Sequence, residues 1–281
     1  MKLSIIIVNY NVTDLLRACL LSIEKYIQNI PYEVIVADNC SPDTSWKQLI
    51  GEFPKVKFIE LPVNLGFSRG NNQAIAEAKG EYILLLNPDT EFQSFGFEKL
   101  IEYAENQPKF GSLGVRMFDN TGRFLPESKR SVPDMINSFK KLFLPSFKTK
   151  VKDYYRNDLA ENDIAEVEIM TGAFLLMKRS VYSEVGGMDE RYFMYGEDID
   201  LCYTILQKGY TNHYYGAFSI LHHKGQSTVK DVKYLNNFYG AMQIFIEKYY
   251  KTQRPIRYAI LTTGLKVKYW LERGKLLTFG K

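Results

Sequence analysis

The first ninety residues alternate between two periodicities. Apolar, β-branched runs at residues 3–9, 33–38, 56–60 and 81–87 read as four strands, and helical patterns separate them. Leu15, Leu16, Cys19, Leu20 and Ile23 fall on one helical face, with Thr13 or Asp14 as the expected N-cap. Asp43 to Phe53 predicts a short helix, and residues 67–79 predict one that stops at Gly80. This alternation leaves few architectures: an α/β chain with a mostly parallel central sheet covered by helices on both faces.

Such sheets bind ligands beyond the carboxyl ends of their strands. The first strand ends in Asn9-Tyr10-Asn11, the second in Asp38, and the fourth in Asn87-Pro88-Asp89-Thr90. Neither G-x-G-x-x-G nor G-x-x-x-x-G-K-[ST] occurs there, which argues against a dehydrogenase or an ATPase. Tyr10 can pack on a base, and Asp38 can accept from a ribose or base donor. Asp38 equally suits the start of a turn. Asp89 is an oxygen ligand for Mg²⁺ or Mn²⁺ on a diphosphate, or the acid of a Pro-containing turn. In Asn64-Leu65-Gly66-Phe67-Ser68-Arg69-Gly70-Asn71-Asn72 the glycines allow close backbone approach and Arg69 offers a donor fork to phosphate. The same segment suits a capped helix start.

Farther on, Phe95 to Glu105 predicts helix, Phe110 to Phe118 strand, 166–178 strand and Ile199 to Lys208 helix. Residues 119–165 lack periodicity and read as an acceptor-side insertion. Gly196-Glu197-Asp198-Ile199-Asp200 clusters acids at a helix start, where the dipole alone would favour them. One of those carboxylates could also deprotonate an acceptor hydroxyl. His222 could ligate a cation.

The net charge of +4 divides unevenly. From Lys230 onward there are 11 Lys+Arg against 3 Asp+Glu, a net of +8, leaving 25 minus 29, or −4, for the rest. Tyr234, Tyr239, Phe245, Tyr249, Tyr250, Tyr258, Tyr269 and Trp270 interleave with the basic residues, which favours an anionic membrane face over nucleic acid. Packing of those aromatics onto the catalytic core is the competing expectation. No signal peptide or membrane-spanning apolar run is visible, and Cys19, Cys40 and Cys202 form no metal or disulfide pattern. A cytoplasmic protein with peripheral membrane contact is expected.

As an ordered set these segments resemble the family 2 glycosyltransferases of the GT-A fold, in particular their rhamnosyltransferase-like bacterial branch. The match runs through Ser4–Asn11, Val36–Ser41, Asn64–Asn72, Leu85–Asp89, Thr171-Gly172-Ala173-Phe174, Phe193–Cys202 and His222-His223-Lys224-Gly225-Gln226-Ser227. The resemblance implies a catalytic domain over 1–228 and a basic helical tail over 229–281. It implies an inverting, metal-dependent transfer from a nucleotide-diphosphate sugar, dTDP-rhamnose by the branch, to a glycan or lipid-linked glycan in surface polysaccharide synthesis. Asn9, Tyr10, Asp38, Asn64, Gly66, Arg69, Asn71 and Asn87 would line the donor site. Asn87-Pro88-Asp89 stands where the family carries D-x-D, with Asp89 and His222 on Mg²⁺ or Mn²⁺. Asp198, or less favourably Glu197, would be the general base, and Gly172 and Ala173 would leave room for acceptor or sugar. A nucleotidyltransferase and a non-enzymatic basic adaptor are the rival classes. The first lacks its Gly-rich basic loop, and the second leaves the acids of residues 1–228 unexplained.

Overall fold

The computed structural model describes residues 1–133, 154–223 and 231–279. The four early strands form as β1 (Leu3–Asn9), β2 (Tyr32–Asp38), β3 (Val56–Glu60) and β4 (Tyr82–Leu86). They pair in parallel, in the order β3-β2-β1-β4. Between them lie α1 (Thr13–Tyr26), α2 (Gln48–Glu52) behind a 3₁₀ turn at Thr44–Lys47, and α3 (Gly66–Ala76). Period-two alternation decides which face each side chain covers. Ile5 and Ile7 of β1 join Leu16 and Ile23 of α1 on one face, while Ile6 joins Ala74 and Ile75 of α3 on the other. All of these are buried, and full burial stabilises each Leu or Ile by about 1.5–3 kcal/mol.

Beyond β4 the sheet becomes mixed. β5 (Thr90–Phe92), β6 (Phe110–Phe118), β7 (Ile164–Glu166), β8 (Phe174–Lys178) and β9 (Thr211–His222) extend it in the order β4-β8-β6-β9-β5, with β7 also on β9. Only β6–β9 is parallel in this half; β8 runs antiparallel to both β4 and β6, and β9 antiparallel to β5 and β7. α4 (Glu98–Glu105), α5 (Arg179–Glu184) and α6 (Glu197–Gln207) cover it.

Some local expectations shift. The Thr13 hydroxyl does not cap α1: Val12 is the N-cap with no side-chain bond, and Thr13 Oγ1 sits 2.7 Å from Ser45 Oγ, joining α1 to the turn after β2. Of 166–178, Glu166 ends β7 and Phe174–Lys178 forms β8. Val167, Ile169 and Met170 between them are buried, and Ile169 makes an isolated antiparallel bridge with Arg130. Residues 134–153 of the expected insertion, and Lys224-Gly225-Gln226-Ser227, lie outside the described residues. Cys19 and Cys202 are buried free thiols, and Cys40 is an exposed one.

Two helices follow, α7 (Val232–Tyr250) and α8 (Pro255–Phe279). Asp231 caps α7 by accepting from Tyr234 N at 2.7 Å. α7 is bound to the catalytic part through Asp200, whose carboxylate accepts from Lys248 Nζ at 2.6 Å and Tyr249 Oη at 2.9 Å. Tyr203 stacks edge-on against Tyr249, and Phe245, Ile246, Leu261 and Leu265 join the two helices. The competing expectation, aromatics packed on the core, therefore holds for Tyr249 and Phe245.

Candidate active site

The chain turns beyond β4 so that Thr90 N and Oγ1 both donate to the Asn87 carbonyl, at 3.3 and 2.7 Å. β5 then pairs with the end of β9, Thr90 opposite His222, and His223 N donates to the Asp89 carbonyl at 2.8 Å. This register brings His222 Nε2 to 3.3 Å from Asp89 Oδ1, across 133 positions of sequence. Asp89 Oδ1, His222 Nδ1 and Asn87 Oδ1 are buried with no hydrogen-bond partner among the described residues. Buried polar atoms are almost always satisfied, so unpartnered atoms on Asn87 and Asp89 of the turn and on His222 of the facing strand fit residues that would hold a cation. Among the described residues no cluster of three His, Cys, Asp or Glu could hold a metal alone. One carboxylate, one imidazole and remaining sites left to substrate oxygens and water suit Mg²⁺ or Mn²⁺ bound together with a diphosphate.

The second station is the start of α6. Gly196 precedes it at φ +75°, a left-handed backbone that admits the sharp entry into the helix. Asp198 Oδ2 accepts from Arg130 Nη2 at 2.6 Å and from Gly172 N at 3.2 Å, and Oδ1 accepts from Ile199 N at 2.8 Å. Burial works against the charge of Arg130, but the Asp198 carboxylate more than offsets this and keeps the guanidinium firmly protonated. Glu197 is buried with Oε2 unpartnered among the described residues. Burial first, then the Asp198 charge, raises its carboxyl well above the usual carboxylate range. Asp198 is thus the carboxylate held by donors, and Glu197 is the one biased toward the neutral acid. The third acid, Asp200, is committed to α7.

Residues 172–173 join the stations. Gly172 N donates to Asp198, while the Ala173 carbonyl accepts from Asn87 N at 3.0 Å. Both positions were expected beside the sugar or acceptor, and they form the backbone link between the turn of Asp89 and the carboxylate of Asp198.

The donor-side residues divide into supports and exposed groups. Asp38 is almost wholly buried: Oδ1 accepts from Asn9 Nδ2 at 2.7 Å and Ser41 Oγ at 2.6 Å, and Oδ2 from Ser41 N at 2.9 Å. Its contacts are those of a turn former. Tyr10, beside it, is exposed. Asn64 Oδ1 accepts from Gly66 N at 3.0 Å. A Cβ on Gly66 would meet the Phe193 carbonyl at 2.4 Å, and the backbone there has φ +80°, so glycine is required. Phe67 N donates to the same carbonyl at 2.7 Å, docking this loop beside the segment that leads to α6. Asn71 is buried and bonds back to the Phe67 carbonyl within α3, a structural role. Arg69 is half exposed and pairs with Glu190 at 3.2 Å.

Arg130 was not singled out by the sequence, because it lies in the aperiodic stretch between β6 and β7. Arg130 and its neighbours Lys129 and Ser131 are all buried.

The glycosyl transferase family 2 model matches residues 4–186. The chain belongs to glycosyl transferase family 2. The transferase is 31% identical over 214 residues to N-acetylglucosaminyl-diphospho-decaprenol L-rhamnosyltransferase of Mycobacterium tuberculosis, covering 72% of this chain and 69% of that protein. It is 30% identical over 215 residues to rhamnosyltransferase WbbL of Escherichia coli K12, covering 72% of this chain and 78% of that one. The fold is shared with GalNAc-T7 solved with UDP, GalNAc and Mn²⁺ (TM-score 0.64, 14% identity, 90% of this chain and 48% of that one). It is also shared with mannosyltransferase PcManGT of Pyrobaculum calidifontis solved with GDP-Man and Mn²⁺ (TM-score 0.61, 17% identity, 93% and 68%). This is the GT-A architecture.

Proposed function

We propose that the transferase moves a sugar, L-rhamnose from a dTDP donor, onto a hydroxyl of a lipid-linked glycan, with inversion at the anomeric carbon. The observation that carries this reading is the largely buried Asp89–His222 pair with its unpartnered atoms. The names of the two rhamnosyltransferase relatives support the sugar, and the decaprenol-linked acceptor in one of those names supports the lipid carrier. The division of labour is a catalytic domain over 1–228 and a membrane-facing helical tail over 229–281, at the cytoplasmic face of the cell membrane.

Asp89 and His222, with Asn87 alongside, would hold Mg²⁺ or Mn²⁺, which neutralises the donor diphosphate and stabilises it as it departs. Tyr10 packs on the base. Asp38 and Asn9 hold the Tyr10 loop, and Asp38 Oδ2 keeps one lone pair for a base or ribose donor. Asn64 and Gly66 shape the entry to α3, whose first turn carries Arg69, and Arg69 exchanges Glu190 for phosphate oxygen. Asp198 takes the proton from the acceptor hydroxyl as its oxygen bonds to the anomeric carbon, and the carbon–phosphate-oxygen bond breaks with its electron pair leaving on the nucleoside diphosphate. Glu197, biased to the neutral form, does not compete for that proton. A panel of nucleotide sugars, followed by nucleoside diphosphate release with and without a polyprenyl-diphosphate-linked amino sugar, tests the reading. Release from dTDP-rhamnose that the acceptor stimulates is expected. Release from none of the panel contradicts it.

A further inference from the structure

The helix α8 divides its side chains between two faces. Leu261 and Leu265 are buried against Phe245 and Ile246 of α7. On the opposite side Ile256, Ile260, Val267, Trp270 and Leu271 are exposed at 77, 53, 46, 63 and 54%. Their spacing follows the helical repeat, so they form one stripe about 22 Å long at ~1.5 Å per residue. Thr263, Lys266, Val267, Trp270 and Leu271 share one continuous hollow on that side. A contiguous apolar strip of this kind on a water-facing helix marks an interaction surface.

The charges on the same face identify the partner. Arg257, Lys266 and Lys275 are exposed there. The single acid of the helix, Glu272, is bonded to Lys268 at 2.9 Å and Lys275 at 3.0 Å. The Arg273 guanidinium lies 5.2 Å from the Trp270 ring centroid, against the apolar stripe. Among the described residues no helix is long and apolar enough to cross a membrane. We propose that this face of α8 docks the enzyme in the plane of an anionic lipid surface, with the apolar stripe in the headgroup boundary and Arg257 and Lys266 on lipid phosphates. Two copies pairing through the same stripe would bring Arg257 and Lys266 against their copies, while Glu272 is already held by Lys268 and Lys275. Charge therefore favours lipid over a second copy.

The purpose of such docking rests on the transferase reading, but its measurement does not. The full chain is mixed with vesicles of phosphatidylcholine alone or with phosphatidylglycerol added, and sedimented at low and high salt. Strong binding is expected only with phosphatidylglycerol, and it weakens as salt screens it. Ile260→Glu with Trp270→Glu should weaken binding by about 10-fold or more, because it puts two charges into the headgroup boundary. Arg257→Glu with Lys266→Glu should do the same while leaving the apolar stripe intact, which keeps the test open should the first variant misfold. Light scattering should find the same oligomeric state for all three proteins. Absence of wild-type binding at low salt, or equal binding by both variants, would overturn the proposal. A wild-type dimer broken by Ile260→Glu and Trp270→Glu would assign the stripe to a second copy instead. Nucleoside diphosphate release on the same preparations separates the two readings: release without vesicle binding sinks the docking alone, and vesicle binding without release sinks the transferase alone.

Discussion

Arg130 Nη2 lies 2.6 Å from Asp198 Oδ2 and 2.6 Å from the Met170 carbonyl, so one buried guanidinium ties the candidate base to the buried segment that leads into β8. Side-chain exposure is 10% for Arg130 and 14% for Asp198. Breaking such a pair strands a charge and costs about 3–5 kcal/mol. Arg130→Ala should lower the melting temperature and the turnover together, and Arg130→Lys, which keeps the charge but loses the fork, should fall between. Melting curves alongside kcat and KM check this. A variant with native turnover would show that Asp198 needs no such support.

The base assignment predicts an asymmetry between neighbours. Asp198→Asn should cut kcat by at least ~10²-fold with little change in donor KM, the lower end of acid–base contributions. Glu197→Gln should hurt less. Steady-state kinetics with the two variants decide it, and the reverse ranking moves the base to Glu197.

Glu197 also makes a stability prediction with a sign. Its folded-state pKa is raised, so between the unfolded carboxylate value and that raised value the folded protein holds a proton that the unfolded chain has released. Stability attributable to this group therefore falls as pH rises through that window. Glu197→Gln removes the dependence. Denaturant midpoints should show the variant gaining on the wild type as pH rises above the usual carboxylate range, and no relative gain would contradict the raised pKa.

Asp200 is nearly inaccessible and is matched by Lys248 Nζ and the hydroxyls of Tyr249 and Tyr192. Lys248→Ala should release α7 from α6 and cost about 3 kcal/mol, the lower range for a broken buried pair. Urea unfolding followed by tryptophan fluorescence measures it. An unchanged midpoint would mean that the aromatic contacts of Tyr203 and Phe245 suffice.

What the sequence made legible follows from the range of the interactions. β1 and β6 were readable to the residue because runs such as Leu3–Asn9 declare themselves locally. β5 has three residues, too few for a period. β9 mixes Asn212, His213, Tyr214 and Gly216 and shifts register between Val115 and Arg116 of β6, so its alternation is broken. The mostly parallel sheet that the sequence predicts is realised in β3-β2-β1-β4 and turns mixed where β8 returns antiparallel to β4, a pairing between segments about ninety residues apart. The acids at Asp89 and Asp198 were visible at strand and helix ends. Arg130 was not, because a buried cation in an aperiodic stretch resembles a solvated one until its partner is located. Likewise His222 was visible only as a possible cation ligand with no assigned partner; the β5–β9 register that brings it to Asp89 is nonlocal.

The central claim is that Asp89 and His222 form the cation station of a glycosyl transfer. Nucleoside diphosphate release from the accepted nucleotide sugar, titrated with Mn²⁺ and Mg²⁺ after chelation, tests it most directly in the wild type, Asp89→Asn and His222→Ala. No release is expected without added cation, with recovery in the wild type once it is supplied. Asp89→Asn should lose about 10²-fold or more, and His222→Ala should need more cation. Release that persists after chelation and is indifferent to both substitutions would contradict it.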